Sequence, residues 1–258
     1  MSPQAEYGFI GVGAIAAAMV TGLRRNMNAI PSILLSPRNA QRGLELSSRF
    51  RAVTVVSDNH AVIDGSQVIV ICLRPQDAAS VLPCLRFRSG QAVISAIAGV
   101  SLTELARLGV PERSAARCIP LPAVARGEAV TPVYPFTDAA RRLFEQLGTA
   151  QALPDEASLN ALSASTATIA THFAYLETIA RWLRQKRVPE EIIRQQLVTM
   201  FSGIAAQLGT DHLDFNCLAL EYATSGGINE QFLSSMKKAG LIQHVESALE
   251  EVLKRLSG

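Results

Sequence analysis

The chain has 258 residues, of which 48% are hydrophobic and 18% are charged. This length and apolar content suffice for two packed domains, which is the organisation we expect. The 24 basic and 22 acidic side chains leave a net charge of +2, without a long basic run, so the composition argues against a nucleic-acid partner. The four cysteines are scattered singly and no stretch reaches the ~20 apolar residues of a membrane span, which indicates a reduced, cytoplasmic protein without metal or membrane.

The first predicted elements are a strand, a tight turn and a helix. An apolar strand ends at Ile10, helix Ala14–Leu23 follows at once, and Gly11-x-Gly13-x-x-Ala16 joins them. Gly11 permits the turn, Gly13 lets the backbone approach a pyrophosphate, and the small Ala16 lets the helix pack on the strand. The helix N-terminus then faces the anion. The pattern predicts a dinucleotide-binding turn whose contacts are Gly11, Val12, Gly13, Ala14, Ile15 and Ala16.

The end of the second predicted strand, Ser32–Leu35, bears on which dinucleotide binds. It is followed by Ser36 and Arg38 and by no Asp or Glu, whereas an NAD-selective site usually holds the ribose hydroxyls with an acidic residue. Ser36 and Arg38 would instead hold a 2′-phosphate, so the sequence predicts NADP(H) rather than NAD(H). The alternative is that Ser36 only caps the next helix and Arg38 is a solvated first-turn residue.

Strands and helices alternate as far as residue 154. The predicted strands are Ala52–Val56, Gln67–Leu73, Ala92–Ile97, Arg117–Ile119 and Ala129–Tyr134. The predicted helices are Asn39–Phe50, Ala61–Gly65, Pro75–Leu82, Leu102–Leu108 and Asp138–Leu147. This alternation predicts an α/β, Rossmann-type doubly wound domain over residues 1–154.

Ligands of open α/β sheets bind at the carboxyl ends of the strands. The continuous apolar run Gln67–Leu73 is typical of a strand buried on both faces, and it ends at Arg74-Pro75-Gln76. The next strand ends in small residues, which suits close approach by a nicotinamide ring. The predicted cofactor contacts at this edge are Asn59, Leu73, Arg74, Pro75, Ala98 and Gly99. For Arg117, a structural salt bridge and a ligand contact are both open.

After Pro154 the strand signal almost disappears. Helices are predicted at Ser158–Lys186, Pro189–Leu208, Leu213–Ala223 and Asn229–Arg255, which form an all-α second domain over residues 155–258. Leu159–Ala180 is apolar or small on nearly every face and therefore needs burial on all sides. A small helical domain supplies that burial most easily by dimerising. We expect a homodimer, or a higher homo-oligomer, through this all-α dimerisation domain.

Two groups of polar residues in the helical part are candidates for the substrate site. Ser163 and Ser165 lie in an apolar helix, where bonding back to the preceding turn is an equal alternative. Thr224 to Gly227 precede a helix N-terminus able to receive a carboxylate. The predicted substrate-binding residues are Ser163, Thr224, Ser225, Gly226 and Gly227. Asn229 or Ser165 is predicted to bond the reducible heteroatom, in a pocket that also includes Ala98-Gly99 and draws its helical residues from the opposite subunit.

In this order the motifs resemble those of pyrroline-5-carboxylate reductases over practically the whole chain. Arg74-Pro75-Gln76 matches Lys-Pro-Gln of that family, Ile94–Gly99 matches Ile-x-x-Ala-Gly, and Ser225-Gly226-Gly227 matches Ser-Pro-Gly-Gly. The resemblance implies an NAD(P)H-binding N-terminal domain and a helical domain that interlocks with a second subunit. It also implies hydride transfer to the C=N carbon of a cyclic imino acid, giving proline.

The chain departs from the family motifs at positions expected near the nicotinamide and the substrate. Ile119–Pro122 replaces Met-Pro-Asn-Thr-Pro, no proline follows Ser225, and Asn229 stands where the family has a substrate-binding Thr. We therefore expect a divergent NADP(H)-dependent reductase of a C=N, or else a C=O, group in a small carboxylate-bearing imine or oxo substrate. A C=O reductase resembling the β-hydroxyacid dehydrogenases and a non-catalytic nucleotide-binding dimer are the alternatives.

Overall fold

The computed structural model describes residues 4–25, 31–208 and 214–257. The chain divides into two compact units, one comprising residues 1–164 and 253–258, which we call the sheet unit, and one comprising residues 165–252, which we call the helical unit. The domain boundary predicted at 154/155 stays a prediction. The start predicted for the third C-terminal helix, Leu213, lies outside the described residues.

The sheet unit is built on eight strands in the order β3-β2-β1-β4-β5-β6-β7-β8. Neighbouring strands are parallel, except that β7 runs antiparallel to β6. The mostly parallel order, with β1 beside both β2 and β4, confirms the predicted Rossmann-type fold. The strands are β1 Ala5–Ile10, β2 Ile33–Leu35, β3 Val53–Val55, β4 Ser66–Ile71, β5 Ala92–Ser95, β6 Ala115–Cys118, β7 Ala129–Tyr134 and β8 Gly148–Ala152.

Several helices of the sheet unit begin at a side-chain N-cap, although α1 and α4 do not. Ser101 Oγ accepts from the Glu104 N–H at 3.1 Å, and Asp58 Oδ1 accepts from the Ala61 N–H at 2.8 Å. Such side-chain caps satisfy N–H groups that have no partner within the helix. The helices are α1 Ala14–Leu23, α2 Ala40–Arg49, α3 Asn59–Gly65, α4 Pro75–Val81, α5 Leu102–Arg107, α6 Asp138–Glu145 and α7 Glu156–Ser165.

The core of the sheet unit lies on both faces of the sheet. Phe9 and Val70 belong to one buried cluster, while their chain neighbours Ile10 and Ile71 belong to the other. Because successive side chains of a strand point to opposite faces, the central strands must be apolar throughout. The sheet is therefore covered on both faces, and the ends of its strands remain accessible to ligands.

The helical unit has a much smaller core. Its helices are α8 Thr168–Gln185, α9 Glu190–Gln207, α10 Phe215–Tyr222, α11 Ile228–Lys238 and α12 Leu241–Ser257, the last of which ends in the 253–258 segment. Within the described part of this unit, the buried cluster consists of Ala180, Ile193 and Leu197. No helix in the described ranges is long and apolar enough to cross a membrane.

Two predicted helix boundaries were wrong, and one strand was missed. The helix expected at Ser158–Lys186 is interrupted between Ser165 and Thr168, so that α7 and α8 are separate. The helix expected at Asn229–Arg255 ends at Lys238, because Gly240 adopts the left-handed conformation at φ 78°. Strand β8 was missed, since Gly148–Ala152 has few residues that favour strands and pairs only with β7 among the described strands.

Candidate functional site

The glycine turn after β1 has the geometry that the sequence predicts. Gly11 has φ 90°, and a Cβ built on it would lie 2.6 Å from the Cys72 carbonyl oxygen. Its N–H donates to Ser36 Oγ at 2.9 Å. Both the backbone conformation and the packing therefore require glycine here, and the turn is tied to the end of β2.

Gly13 differs from Gly11 because neither its backbone nor its neighbours demand glycine. It is the N-cap of α1 with φ −86° and ψ −169°, and a Cβ built on it would meet no atom within 4 Å. The absent side chain leaves open space directly in front of the helix N-terminus. Ala16, by contrast, is fully buried in the core against the strand. Val12, Ala14 and Ile15 complete the turn, and Ala14 is exposed beside the open space.

The end of β2 carries the side chains predicted to select the dinucleotide. Ser36 is 1% exposed, and its hydroxyl accepts the Gly11 N–H described above, so it supports the glycine turn from inside the protein. Asn39 Oδ1 caps α2 by accepting the Arg42 N–H, and Asn39 Nδ2 donates to the Val12 carbonyl at 3.1 Å. Arg38 is largely exposed and donates from Nη2 to Asp77 Oδ1 at 3.1 Å.

Asp77 is the site residue that sequence reasoning missed. It lies in the first turn of α4 and also accepts a hydrogen bond from Arg74 Nε to its Oδ2 at 3.3 Å. The hydrogen bond from Arg38 holds the pKa of the Asp77 carboxyl below its usual range. An acidic residue three positions after Arg74 was the available signal, but the contact with Arg38 spans 39 positions along the chain.

The loops after β4 and β5 lie at the same edge as the glycine turn, because β1, β4 and β5 are parallel neighbours. Leu73 is buried, Pro75 begins α4, and Ala98 is exposed. Gly99 has φ 70°, and a Cβ there would lie 3.1 Å from Leu256 Cδ2. Asn59 is half-buried at the first position of α3, after the third strand. The sheet topology thus brings the predicted cofactor contacts to one edge.

Arg117 forms the salt bridge that the sequence left open. Its side chain is buried, and Nη1 donates to Glu156 Oε1 at 2.6 Å and to Asn160 Oδ1 at 3.0 Å. The same Glu156 oxygen accepts the Leu102 N–H at 2.8 Å, where α5 begins. One carboxylate at the start of α7 therefore joins β6 to α5 within the sheet unit.

In the helical unit, the glycine pair lies directly before the start of a helix, as predicted. Gly226 has φ 74°, Gly227 is the N-cap of α11, and Asn229 is exposed at the second position of that helix. The Gly226 N–H donates to Glu230 Oε2 at 2.7 Å. The N–H predicted to receive a substrate carboxylate is therefore already bonded to a carboxylate of the chain. Gly226, Gly227 and Glu230, but not Asn229, line an open cavity of about 550 Å³ next to α10 and α11.

The two serines predicted to contact the substrate, Ser163 and Ser165, lie near the end of α7. Ser163 is half-buried in α7, and Ser165 is its last residue, whose carbonyl accepts from Thr168 Oγ1 at 2.7 Å. Among the described residues, no group of three or more His, Cys, Asp or Glu side chains is arranged to hold a metal ion.

Comparison with known proteins gives matches at several levels. The model of the family described as "NADP oxidoreductase coenzyme F420-dependent" matches residues 6–99, which span the glycine turn and strands β1 to β5. Pyrroline-5-carboxylate reductase 2 of Bacillus subtilis is 23% identical over 97% of this chain and 93% of its own length.

Two solved structures share the fold over nearly the whole chain. The 1-pyrroline-5-carboxylate reductase of Streptococcus pyogenes has a TM-score of 0.83 at 21% identity and covers 99% of each chain. The Plasmodium falciparum pyrroline carboxylate reductase with NADP bound has a TM-score of 0.82 at 17% identity, over 98% of this chain and 97% of that one.

The full-length relative extends the similarity beyond the N-terminal residues that the family model matches. The chain is thus similar to pyrroline-5-carboxylate reductases over nearly its whole length. The glycine turn keeps the dinucleotide-binding pattern, whereas Ile119–Pro122 and the residues around Asn229 depart from the motifs of those reductases.

Proposed function

We propose that this protein is an NADP(H)-dependent oxidoreductase that reduces the C=N bond of a small imine. The observation that carries the proposal is the open space at Gly13, in front of the N-terminus of α1, where a Cβ would meet no neighbour. A pyrophosphate fits there because the N–H groups and the dipole of a helix N-terminus favour an anion. The named relatives support the reductase class.

The chain's own residues suit a bound dinucleotide. Gly11 and Ala16 keep the turn close to the sheet, and Arg38 provides a cation where a 2′-phosphate would lie. When bound, the nicotinamide supplies the hydride. The P. falciparum relative is described with NADP bound, which supports NADP(H) over NAD(H) as the cofactor of this chain.

For the substrate, we propose that Asn229 or Ser165 donates a hydrogen bond to the heteroatom that gains charge during reduction. Such a bond strengthens as charge develops and so lowers the barrier. Thr224, Ser225, Gly226, Gly227 and Ser163 are proposed to contact the rest of the substrate. A substrate carboxylate at Gly226 would have to replace Glu230, whose carboxylate accepts that N–H at 2.7 Å.

We further propose that the protein acts as a homodimer through residues 158–208 and 229–255. Large apolar side chains on α8 and α9 are exposed in the single chain, including Phe173 at 65%, Trp182 at 56% and Val198 at 59%. Apolar patches of this kind mark interaction surfaces. Sedimentation at micromolar concentration should show a dimer, and a monodisperse monomer would contradict this part of the proposal.

The decisive experiment is a spectrophotometric assay of NADPH oxidation by the full chain. The substrates are 1-pyrroline-5-carboxylate, the carboxylate-free 1-pyrroline and a set of 2-oxo acids. We expect oxidation with a cyclic imine. Oxidation with oxo acids alone would indicate a C=O reductase, and NADPH binding without oxidation of any compound would favour a non-catalytic nucleotide-binding protein.

A further inference from the structure

Two arginines and one aspartate form a charged cluster at the end of the sheet where the adenosine half of a dinucleotide binds. Arg38 follows β2, while Arg74 and Asp77 belong to the start of α4, directly after β4. These two strands flank β1. Asp77 accepts from Arg38 Nη2 at 3.1 Å through one oxygen and from Arg74 Nε at 3.3 Å through the other. One carboxylate therefore links the loops on both sides of β1.

The three side chains of the cluster differ in their exposure to solvent. The Asp77 side chain is 18% exposed, whereas those of Arg38 and Arg74 are 59% and 71% exposed. A guanidinium has five N–H donors, and these bonds to Asp77 use one donor of each arginine. Both guanidiniums are more than half exposed, so the cluster presents two cations to solvent, linked by one less exposed anion.

The other polar side chains at the end of β2 are committed to the protein. The Ser36 hydroxyl, 1% exposed, accepts the Gly11 N–H, and the Asn39 amide bonds the backbone of Arg42 and Val12. Arg38 and Arg74 are the cationic side chains that the cluster itself holds near the end of β2. Sequence reasoning assigned only the first of them to the 2′-phosphate.

We propose that Asp77 is a specificity-determining positioning residue, which holds Arg38 and Arg74 as a pair for the 2′-phosphate of NADP(H). This inference rests on the proposed function, since it presumes a nicotinamide dinucleotide at the glycine turn. A phosphate dianion gains charge-assisted hydrogen bonds from both guanidiniums. Because the side chains are already ordered, less conformational entropy is lost on binding. NADH has a hydroxyl at that position and gains little from the pair.

The test is calorimetric titration of the full chain with NADPH and with NADH. Asp77→Asn removes the charge and keeps the shape of the side chain. We expect it to weaken NADPH binding about five- to tenfold, within the range for the net effect of one ordinary hydrogen bond, and to change NADH binding less than about twofold. Asp77→Glu should recover part of the NADPH affinity. Arg74→Ala should also weaken NADPH binding selectively.

Two controls separate positioning from other roles. Asp138→Asn removes a carboxylate that is likewise in the first turn of a helix of the sheet unit and pairs with Arg141 at 3.6 Å, and it should change neither affinity. In a protein that already carries Arg38→Ala and Arg74→Ala, Asp77→Asn should have no further effect, because Asp77 acts through the two arginines.

The contrary outcomes are distinct. Tighter NADPH binding by Asp77→Asn would show that the carboxylate repels the phosphate, and equal losses for both cofactors would show a general structural role. Either result, or no change, overturns the inference while the wild-type protein still binds NADPH. Binding of neither dinucleotide by the wild-type protein would instead overturn the proposed function, and this inference with it.

Discussion

The two units of the chain use their apolar residues in opposite ways. In the sheet unit, the large side chains of the central strands are buried in two clusters, one on each face of the sheet. In the helical unit, the described buried cluster has three members, and residues such as Phe173 and Trp182 are more than half exposed. The first unit therefore has a core of its own, whereas the second leaves large apolar side chains exposed in the single chain, and such exposed apolar area is costly in water.

The strongest test of this contrast between buried and exposed apolar side chains replaces one phenylalanine in each unit by alanine. Phe9 is fully buried and Phe173 is 65% exposed. Phe9→Ala should lower the free energy of unfolding by about 3–5 kcal/mol, the usual effect of deleting a buried phenyl ring. Phe173→Ala should lower that of the single chain by less than about 0.5 kcal/mol. Denaturant titration at several protein concentrations measures both.

The concentration dependence supplies the control. If a second subunit covers Phe173, the loss for Phe173→Ala grows when unfolding is coupled to dissociation, and the midpoint shifts with protein concentration. Equal and concentration-independent losses for the two variants would contradict the contrast between the units.

A second test concerns two glycines, one in each unit, that share the same open surroundings. A Cβ built on Gly13 or on Gly203 meets no atom within 4 Å. Gly13→Val should weaken both NADPH and NADH at least about a hundredfold, because its side chain fills the path of the pyrophosphate. Gly203→Val should leave both affinities unchanged. Retained binding in Gly13→Val would place the dinucleotide elsewhere.

A third test asks whether the exposed polar residues of the helical unit take part in the chemistry. Asn229→Ala should reduce kcat about tenfold to a thousandfold and spare NADPH binding, because the lost bond is strongest in the transition state. Asn216→Ala, an exposed asparagine of the same unit on α10, is the matched control. Wild-type rates in both Asn229→Ala and Ser165→Ala would move the pocket elsewhere.

The smallest effect is expected at Glu230, whose carboxylate bonds the Gly226 N–H. Glu230→Gln removes one negative charge near the N-terminus of α11, which is worth about two- to fivefold in binding an anion. The KM for 1-pyrroline-5-carboxylate should fall by that factor, and the KM for 1-pyrroline should stay the same. Equal changes for both imines would show that no substrate carboxylate approaches Gly226.

Much of the sheet unit could be predicted from the sequence, because its signals are local. The apolar run of β4, the glycine turn and the Ser101 cap each depend on neighbours within a few residues. Strand β8 gave no such signal, since its sequence Gly-Thr-Ala-Gln-Ala does not favour a strand, and it forms by pairing with β7. Tertiary pairing decided that element.

In the candidate site, too, the local features were predictable and the contact between distant residues was not. Gly11 and Gly13 follow a pattern with a physical reason at each position, whereas the bond from Arg38 to Asp77 joins residues 39 positions apart, which no periodicity reveals. The Glu230 bond to Gly226 spans only four positions, and a glutamate just inside a helix start is a known capping signal. That contact could have been found from the sequence.

The carboxylate of Glu156 determines where the cofactor-binding part of the chain can be cut to make a separate fragment. A fragment ended at the predicted boundary of residue 154 would lack Glu156, and the buried guanidinium of Arg117 would lose its anion. An unpaired buried charge is strongly destabilising, and the Leu102 N–H would lose its acceptor as well. A fragment intended for cofactor binding should therefore retain the whole of α7 through Ser165.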